Sequence, residues 1–115
     1  MKKIAVIGSR KFTDYDLLKK ELDEYPPFIL VSGRAKGLAE RYADEKGYEK
    51  VIHLPDKKKY GRGAYYRRNQ LIVGDADEMI AFVEGSKGTK DSLELARRKG
   101  IAVTMIIPTE TKDEE

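Results

Sequence analysis

The sequence predicts an α/β fold: a five-stranded parallel sheet covered by helices on both faces, a three-layer sandwich. Three observations predict it. Five short apolar runs, rich in β-branched residues, recur along the 115-residue chain, each separated from the next by a segment with helical spacing. The runs are apolar almost throughout rather than alternating, as strands buried on both faces must be. Consecutive parallel strands need crossovers of a fixed hand, and the expected strand order with helices on both faces is 3-2-1-4-5. In that order the winding reverses between the first and fourth strands.

Each element has a local reason. Residues 3–7 (KIAVI) form the first strand, ended by Gly8. In residues 13–25, Leu17, Leu18, Leu22 and Tyr25 share a helical face, Thr13 or Asp14 offers the cap, and Pro26 and Pro27 stop the helix. Residues 28–33 (FILVSG) are the second strand. Residues 36–47 are the second helix, with Leu38, Ala39, Tyr42 and Ala43 inward and Gly47 as its stop. Residues 50–54 (KVIHL) are the third strand, and residues 55–63 (PDKKKYGRG) a long basic loop. Residues 64–74 are the third helix, ended by Gly74, and residues 78–83 (EMIAFV) the fourth strand. Residues 90–100 are the fourth helix, whose closing Arg97, Arg98 and Lys99 suit the negative end of its dipole. Residues 102–108 are the fifth strand. Residues 1–108 are read as one domain and 109–115 as a charged, disordered tail.

Composition narrows the function classes. Hydrophobic residues make up 40% and charged residues 37%, a globular balance with a heavily solvated surface. No window approaches the ~18 apolar residues of a membrane span. The first apolar run is too short for a signal peptide, and charge resumes at Arg10, so a cytoplasmic protein with no membrane partner is expected. The absence of cysteine excludes disulfides and thiolate chemistry. His53 stands alone at the end of the third strand and is read as structural, so neither a metal nor a cofactor is expected. The acidic run DADE, 75–78, falls where a helix turns into the fourth strand, on the edge opposite the helix starts, and is also read as structural.

Positive charge is local. Residues 56–70 hold six basic side chains against Asp56, whereas residues 71–115 hold six against ten acidic ones. Such a patch suits a solvated loop, a phosphate-bearing ligand or a nucleic-acid backbone. Tyr60, Tyr65 and Tyr66 interleave with the cations and could stack a base, although packing is expected for at least one.

Four segments follow a strand and open a helix, and the topology brings all four to the carboxyl edge of the sheet. The first, GSRKFTD, supplies Gly8, Ser9 and Arg10. The second, SGRAKG, supplies Ser32, Gly33 and Lys36. The third is the basic loop, followed by Arg68 and Asn69 in the first turns of a helix. The fourth, GSKGTKD, supplies Gly85, Ser86, Lys87, Gly88 and Thr89. Glycines permit close backbone approach, and amides at a helix start attract anions. An ordinary turn capped by Thr89 is the alternative for the last segment. Arg67 and Arg68 place positive charge near a helix start, which costs ~0.3–1 kcal/mol unless an anion compensates. That anion is either a carboxylate such as Asp91 or Glu84, or a ligand phosphate gripped by the guanidinium.

Taken together, GSRKFTDYDLL, SGRAKG with LAERYA, YGRGAYYRRNQLI and IAFVEGSKGTKDSLELA resemble a bacterial and phage family catalogued as DUF2493. That family belongs to the SLOG superfamily of Rossmann-like nucleotide-ligand domains. The resemblance covers about residues 4–107. Relatives in the superfamily include the Lonely Guy phosphoribohydrolases and the DNA-processing protein DprA. The resemblance implies a Rossmann-like fold and a nucleotide or nucleotide-derived ligand. The family's GSR falls on Gly8, Ser9 and Arg10, its RN on Arg68 and Asn69, and its SKGT on Ser86 to Thr89. In the phosphoribohydrolases the comparable glycine loop ends in a catalytic glutamate that works with a helix arginine. Asp91 is where the resemblance directs the search for the acid and Arg68 for the arginine, so they are the catalytic candidates if the protein hydrolyses an N-glycosidic bond. The second loop here is about three residues shorter than the family's, lacks its Asp, and has Arg34 in place of a glycine. The reading is therefore a nucleotide-binding sensor or regulatory module, with phosphoribohydrolase and DprA-like nucleic-acid binding through 56–68 as alternatives. A homodimer is expected through the apolar triplet Leu71, Ile72 and Val73.

Overall fold

The computed structural model describes residues 1–8, 12–33, 37–83 and 87–107, with the backbone alone at 87 and 88. The elements are β1 (Lys3–Gly8), α1 (Tyr15–Leu22), β2 (Ile29–Ser32), α2 (Leu38–Lys46), β3 (Lys50–Ile52), α3 (Lys57–Tyr60), a 3-10 turn (Gly61–Gly63), α4 (Ala64–Asp75), β4 (Glu78–Phe82), α5 (Lys87–Lys99) and β5 (Ala102–Ile106). The five strands are all parallel and lie in the order β3-β2-β1-β4-β5, as the alternation of strand and helix predicts. Ala5 sits between Val31 and Met79, and Gly8 ends β1 beside Phe82 of β4. The expectation for 109–115 lies outside the described residues.

Side chains alternate across a strand, so the sheet feeds two cores. Ile4, Val6, Leu30, Ile80 and Phe82 meet Leu18 and Leu22 of α1 and Tyr42 of α2 on one face. Ala5, Val31 and Met79 meet Ile72 and Val73 of α4 and Ala96 of α5 on the other. Each fully buried Val, Leu, Ile, Phe or Met contributes about 1.5–3 kcal/mol. The helix faces expected for α1 and α2 are the buried ones, with Leu17, Tyr25 and Leu38 half-buried against the same cluster. Gly47 and Gly100 close α2 and α5 at φ +73° and +83°, a left-handed conformation that favours glycine.

Polar clasps tie the helices to one another. The Tyr42 hydroxyl donates to Asp23 Oδ1 at 2.7 Å, and Lys46 Nζ lies 3.3 Å from the same oxygen. Tyr15 donates to Glu45, and the Arg41 guanidinium lies 3.9 Å from the Tyr15 ring centroid. On the other face Lys99 Nζ donates to the carbonyls of Val73, Gly74 and Ala76, each at 2.9 Å. The ammonium thus satisfies the open carbonyls at the end of α4, where its dipole is negative.

Several local expectations are corrected. The loop at 55–63 contains a helical turn, α3, because Asp56 caps it by accepting from Lys59 N at 3.1 Å. Gly74 does not end the third long helix: α4 runs through it to Asp75. Pro26 and Pro27 do not stop α1, which closes at Leu22, whereas Asp14 is the cap, accepting from Leu17 N at 3.0 Å. The triplet at 71–73 is not an apolar surface. Ile72 and Val73 are core residues and only Leu71 is exposed.

Candidate functional site

The carboxyl edge is assembled from the ends of β1, β2 and β4 and the starts of α4 and α5. The reversal of winding falls between β1 and β4, which pair directly. Such an edge offers a crevice between diverging loops. Phe12 stacks on Phe82 with ring centroids 4.8 Å apart, and both are buried. This pins the segment leaving β1 onto the end of β4. Sequence reasoning gave Phe12 no role, although an apolar residue four positions after Gly8 in an otherwise polar loop was a usable signal.

The best-defined polar group at the edge is Arg68. Its Nη1 donates to the Gly33 carbonyl at 3.0 Å, just beyond the end of β2, and its Nε donates to Asn69 Oδ1 at 3.0 Å. The guanidinium carbon lies 5.7 Å from the Tyr65 ring centroid. A cationic side chain from the second turn of α4 therefore reaches back to the end of β2. Gly33 has no positive φ to explain it; its reason is steric. A Cβ at that position would lie 2.4 Å from Arg68 Nη1 and 2.9 Å from Cζ. Gly8 carries no such constraint, since a Cβ there would make only ordinary contacts with Phe82 and Phe12. Arg67, paired with Arg68 in the sequence reading, diverges from it. It is exposed, donates to Gln70 Oε1 at 3.3 Å, and stands 5.9 Å from the Tyr60 ring centroid.

The buried polar residues cluster on the same elements. Ser32, Asn69, Thr89 and Ser92 are each at most 6% exposed, although all are polar. Buried polar side chains need partners, and these order the neck between the sheet edge and its helices. Lys87, Gly88 and Thr89 are the first three residues of α5 rather than a turn preceding it. Thr89 thus lies within the first turn, and Asp91 is the fifth helical residue, so neither caps α5. Asp91 is half-buried. Ser9, Arg10, Lys36, Gly85 and Ser86, and Glu84 as a carboxylate partner, lie outside the described residues.

His53 and the acidic run at 75–78 make pairings within the fold. His53 Nε2 lies 2.5 Å from Asp75 Oδ2. Asp77 accepts from Lys3 N at 2.9 Å, and Glu78 pairs with Lys2 Nζ at 3.0 Å, which locks the opposite edge. Tyr60, Tyr65 and Tyr66 depart from expectation: all three are exposed, at 37–42%, and none is a core residue. The Tyr60 hydroxyl is held below the ordinary tyrosine range by Arg67 and then by Lys59. Among the described residues no group of His, Cys, Asp and Glu could hold a metal ion, and no helix is long and apolar enough to cross a membrane.

No family model and no curated protein matches the chain. Among solved structures it is similar to the X-ray structure of TM1055, a structural genomics target. The TM-score is 0.67 at 19% identity, over 90% of this chain and 72% of that one. The similarity is one of fold, a Rossmann-like α/β arrangement with the same parallel sheet.

Proposed function

We propose that the protein binds a nucleotide or nucleotide-derived ligand at the carboxyl edge of its sheet, as a sensor or regulatory module of the DUF2493 type in the SLOG superfamily. The observation that carries this is the placement of Arg68. It is a half-buried guanidinium drawn across a glycine at the end of β2, the strand next to the reversal-bearing β1, and on the same edge as the first turn of α5. An arginine so placed suits a phosphate, which it grips through paired hydrogen bonds. The helix start adds amides and a favourable dipole. The sequence motifs that flank the edge support the same ligand class.

A thermal-shift screen of nucleoside mono-, di- and triphosphates tests the proposal. A ligand present at 100 times its dissociation constant adds ~2.7 kcal/mol, which raises the melting temperature by on the order of 10 °C in a domain of this size. Arg68→Ala abolishes the shift. A flat response across the panel contradicts the proposal.

Catalysis is the second reading, favoured by one observation. Arg68 and Asp91 sit on α4 and α5, which pack against each other and both begin at this edge. In a phosphoribohydrolase Asp91 would stabilise developing oxocarbenium charge and Arg68 would hold phosphate. Asp91→Asn would then abolish base release from a nucleoside monophosphate while changing affinity only a few-fold. A sensor releases no base even as wild type. The sensor is preferred because Asp91 is one methylene shorter than the phosphoribohydrolases' glutamate and the second loop lacks the Asp of the DUF2493 pattern.

A further inference from the structure

We infer that the surface formed by α3, the 3-10 turn and the start of α4 binds single-stranded nucleic acid, independently of the nucleotide site. Lys57, Lys58, Lys59, Arg62 and Arg67 are all exposed within eleven residues. The single acid of the segment, Asp56, is committed to capping α3. The positive charge is therefore not neutralised from within the patch. The Tyr60 hydroxyl is held below its ordinary range by hydrogen bonds from Arg67 and then Lys59.

The tyrosines make the surface more than a solvated charge run. Tyr60, Tyr65 and Tyr66 expose 39%, 37% and 42% of their surface. Lys59 Nζ lies 5.3 Å from the Tyr60 ring centroid, and Lys57 Nζ lies 5.1 Å from that of Tyr65. Each of these rings is thus presented beside a cation, at the spacing of cation–π contact. Among the described residues no cation stands over Tyr66. A flexible single strand can lay bases on such rings while its phosphates meet the adjacent ammonium and guanidinium groups. A duplex keeps its bases stacked internally and can use only the charges. An acidic protein segment likewise gains nothing from base-sized aromatic platforms. The pairing of rings with cations therefore favours the single strand.

Five cations set an upper bound on the salt dependence. If each neutralises one phosphate, the slope of log K against log salt is no steeper than about −3.5 for a single strand. Fluorescence anisotropy with a labelled twelve-nucleotide oligo-dT tests the inference on the full chain between 50 and 200 mM salt. Binding is expected, with an equal-length duplex at least ten-fold weaker. Substituting Lys57, Lys58 and Lys59 together by Gln should weaken binding and flatten the slope by about 2. The Tyr60→Leu/Tyr66→Leu double variant should weaken binding at least ten-fold with the slope unchanged. Both variants alter exposed residues, and unchanged melting temperatures establish that they fold. Equal affinity for duplex and single strand, no effect of the tyrosine variant, or no binding at 50 mM salt each overturns the inference. Nucleotide-induced thermal shifts in the lysine variant keep this outcome separate from the site at the sheet edge.

Discussion

Arg68 and Gly33 act as a pair. The arginine supplies charge at the edge, and the glycine supplies the room in which that charge lies. A methyl group at residue 33 would fall 2.4 Å from Nη1, so the guanidinium must swing away. The backbone itself tolerates alanine there. Gly33→Ala is therefore expected to reduce nucleotide affinity about ten-fold while leaving the fold intact. The two substitutions should not add, because both remove one guanidinium position, and contacting residues couple by about 0.5–3 kcal/mol. Isothermal titration of Gly33→Ala, Arg68→Ala and the double variant measures this. Wild-type affinity in Gly33→Ala, or full additivity, would show that the observed position of Arg68 does not serve the ligand. Sequence alone identified both Arg68 and Gly33 as site candidates, but it gave Gly33 no steric role toward Arg68. The steric reason for this glycine depends on a residue 35 positions away, and no local pattern carries that information.

At the scale of elements, the α1–α2 clasp makes a pH-dependent claim. The Asp23 carboxyl is held below its ordinary range by the Tyr42 hydroxyl and by Lys46, and Glu45 by Tyr15 and Arg41. A depressed carboxyl stabilises the fold above its unfolded value, near 4, and that stability is lost as pH falls through the lower folded value. The Tyr15 hydroxyl is pushed up to about 12, by burial first and then by Glu45. A raised group contributes fully below its unfolded value, near 10, and loses that contribution as pH climbs through the folded one. Stability should therefore be level between about pH 5 and 10 as far as these groups decide it. Below pH 5 the Asp23→Asn/Glu45→Gln variant should lose melting temperature less steeply than wild type. Parallel curves for the two proteins between pH 5 and 3 would show that the clasp contributes nothing.

The elements themselves were legible to different degrees, for physical reasons. The central strands β1, β2 and β4 stood out because burial on both faces demands continuous apolar runs, whereas the edge strands β3 and β5 stood out by their β-branched residues and position in the alternation. The faces of α1 and α2 were legible in their spacing, and Gly47 and Gly100 as stops. The helical turn α3 was missed because KKKY has no apolar period; its one signal was Asp56 placed to cap Lys59. The start of α5 was placed at residue 90 rather than at Lys87, because serine and glycine in SKGT read as a turn when part of that motif is the first helical turn. Gly74 misled for the converse reason. It lies inside α4, whose end is held by Lys99 from a distant element.

For the whole molecule, the sheet order does most to connect sequence with function. Pairing β1 directly with β4 places Gly8 and the strand that leads to α5 side by side, and the crossover through α4 brings Arg68 to the same edge. The opposite edge is closed by Lys2–Glu78 and Lys3–Asp77 contacts. Two surfaces with different chemistry follow: a carboxyl edge built from scattered residues, where we propose that a nucleotide binds, and a basic, aromatic surface on α3 and α4. Tyr65, whose ring centroid is 5.1 Å from Lys57 Nζ and 5.7 Å from Arg68 Cζ, lies where they meet.

The central claim is that a nucleotide binds at the carboxyl edge. Amide chemical-shift mapping of the isotope-labelled protein during titration with AMP, and with GMP, CMP and UMP in parallel, tests it most directly. The expected result is a saturable response to at least one of them. It should be concentrated at Gly8, Gly33, Arg68, Asn69 and the Lys87–Thr89 amides, and lost in Arg68→Ala. Shifts centred on the Lys2–Glu78 edge, or no saturable shift with any of the four nucleotides, would contradict the account.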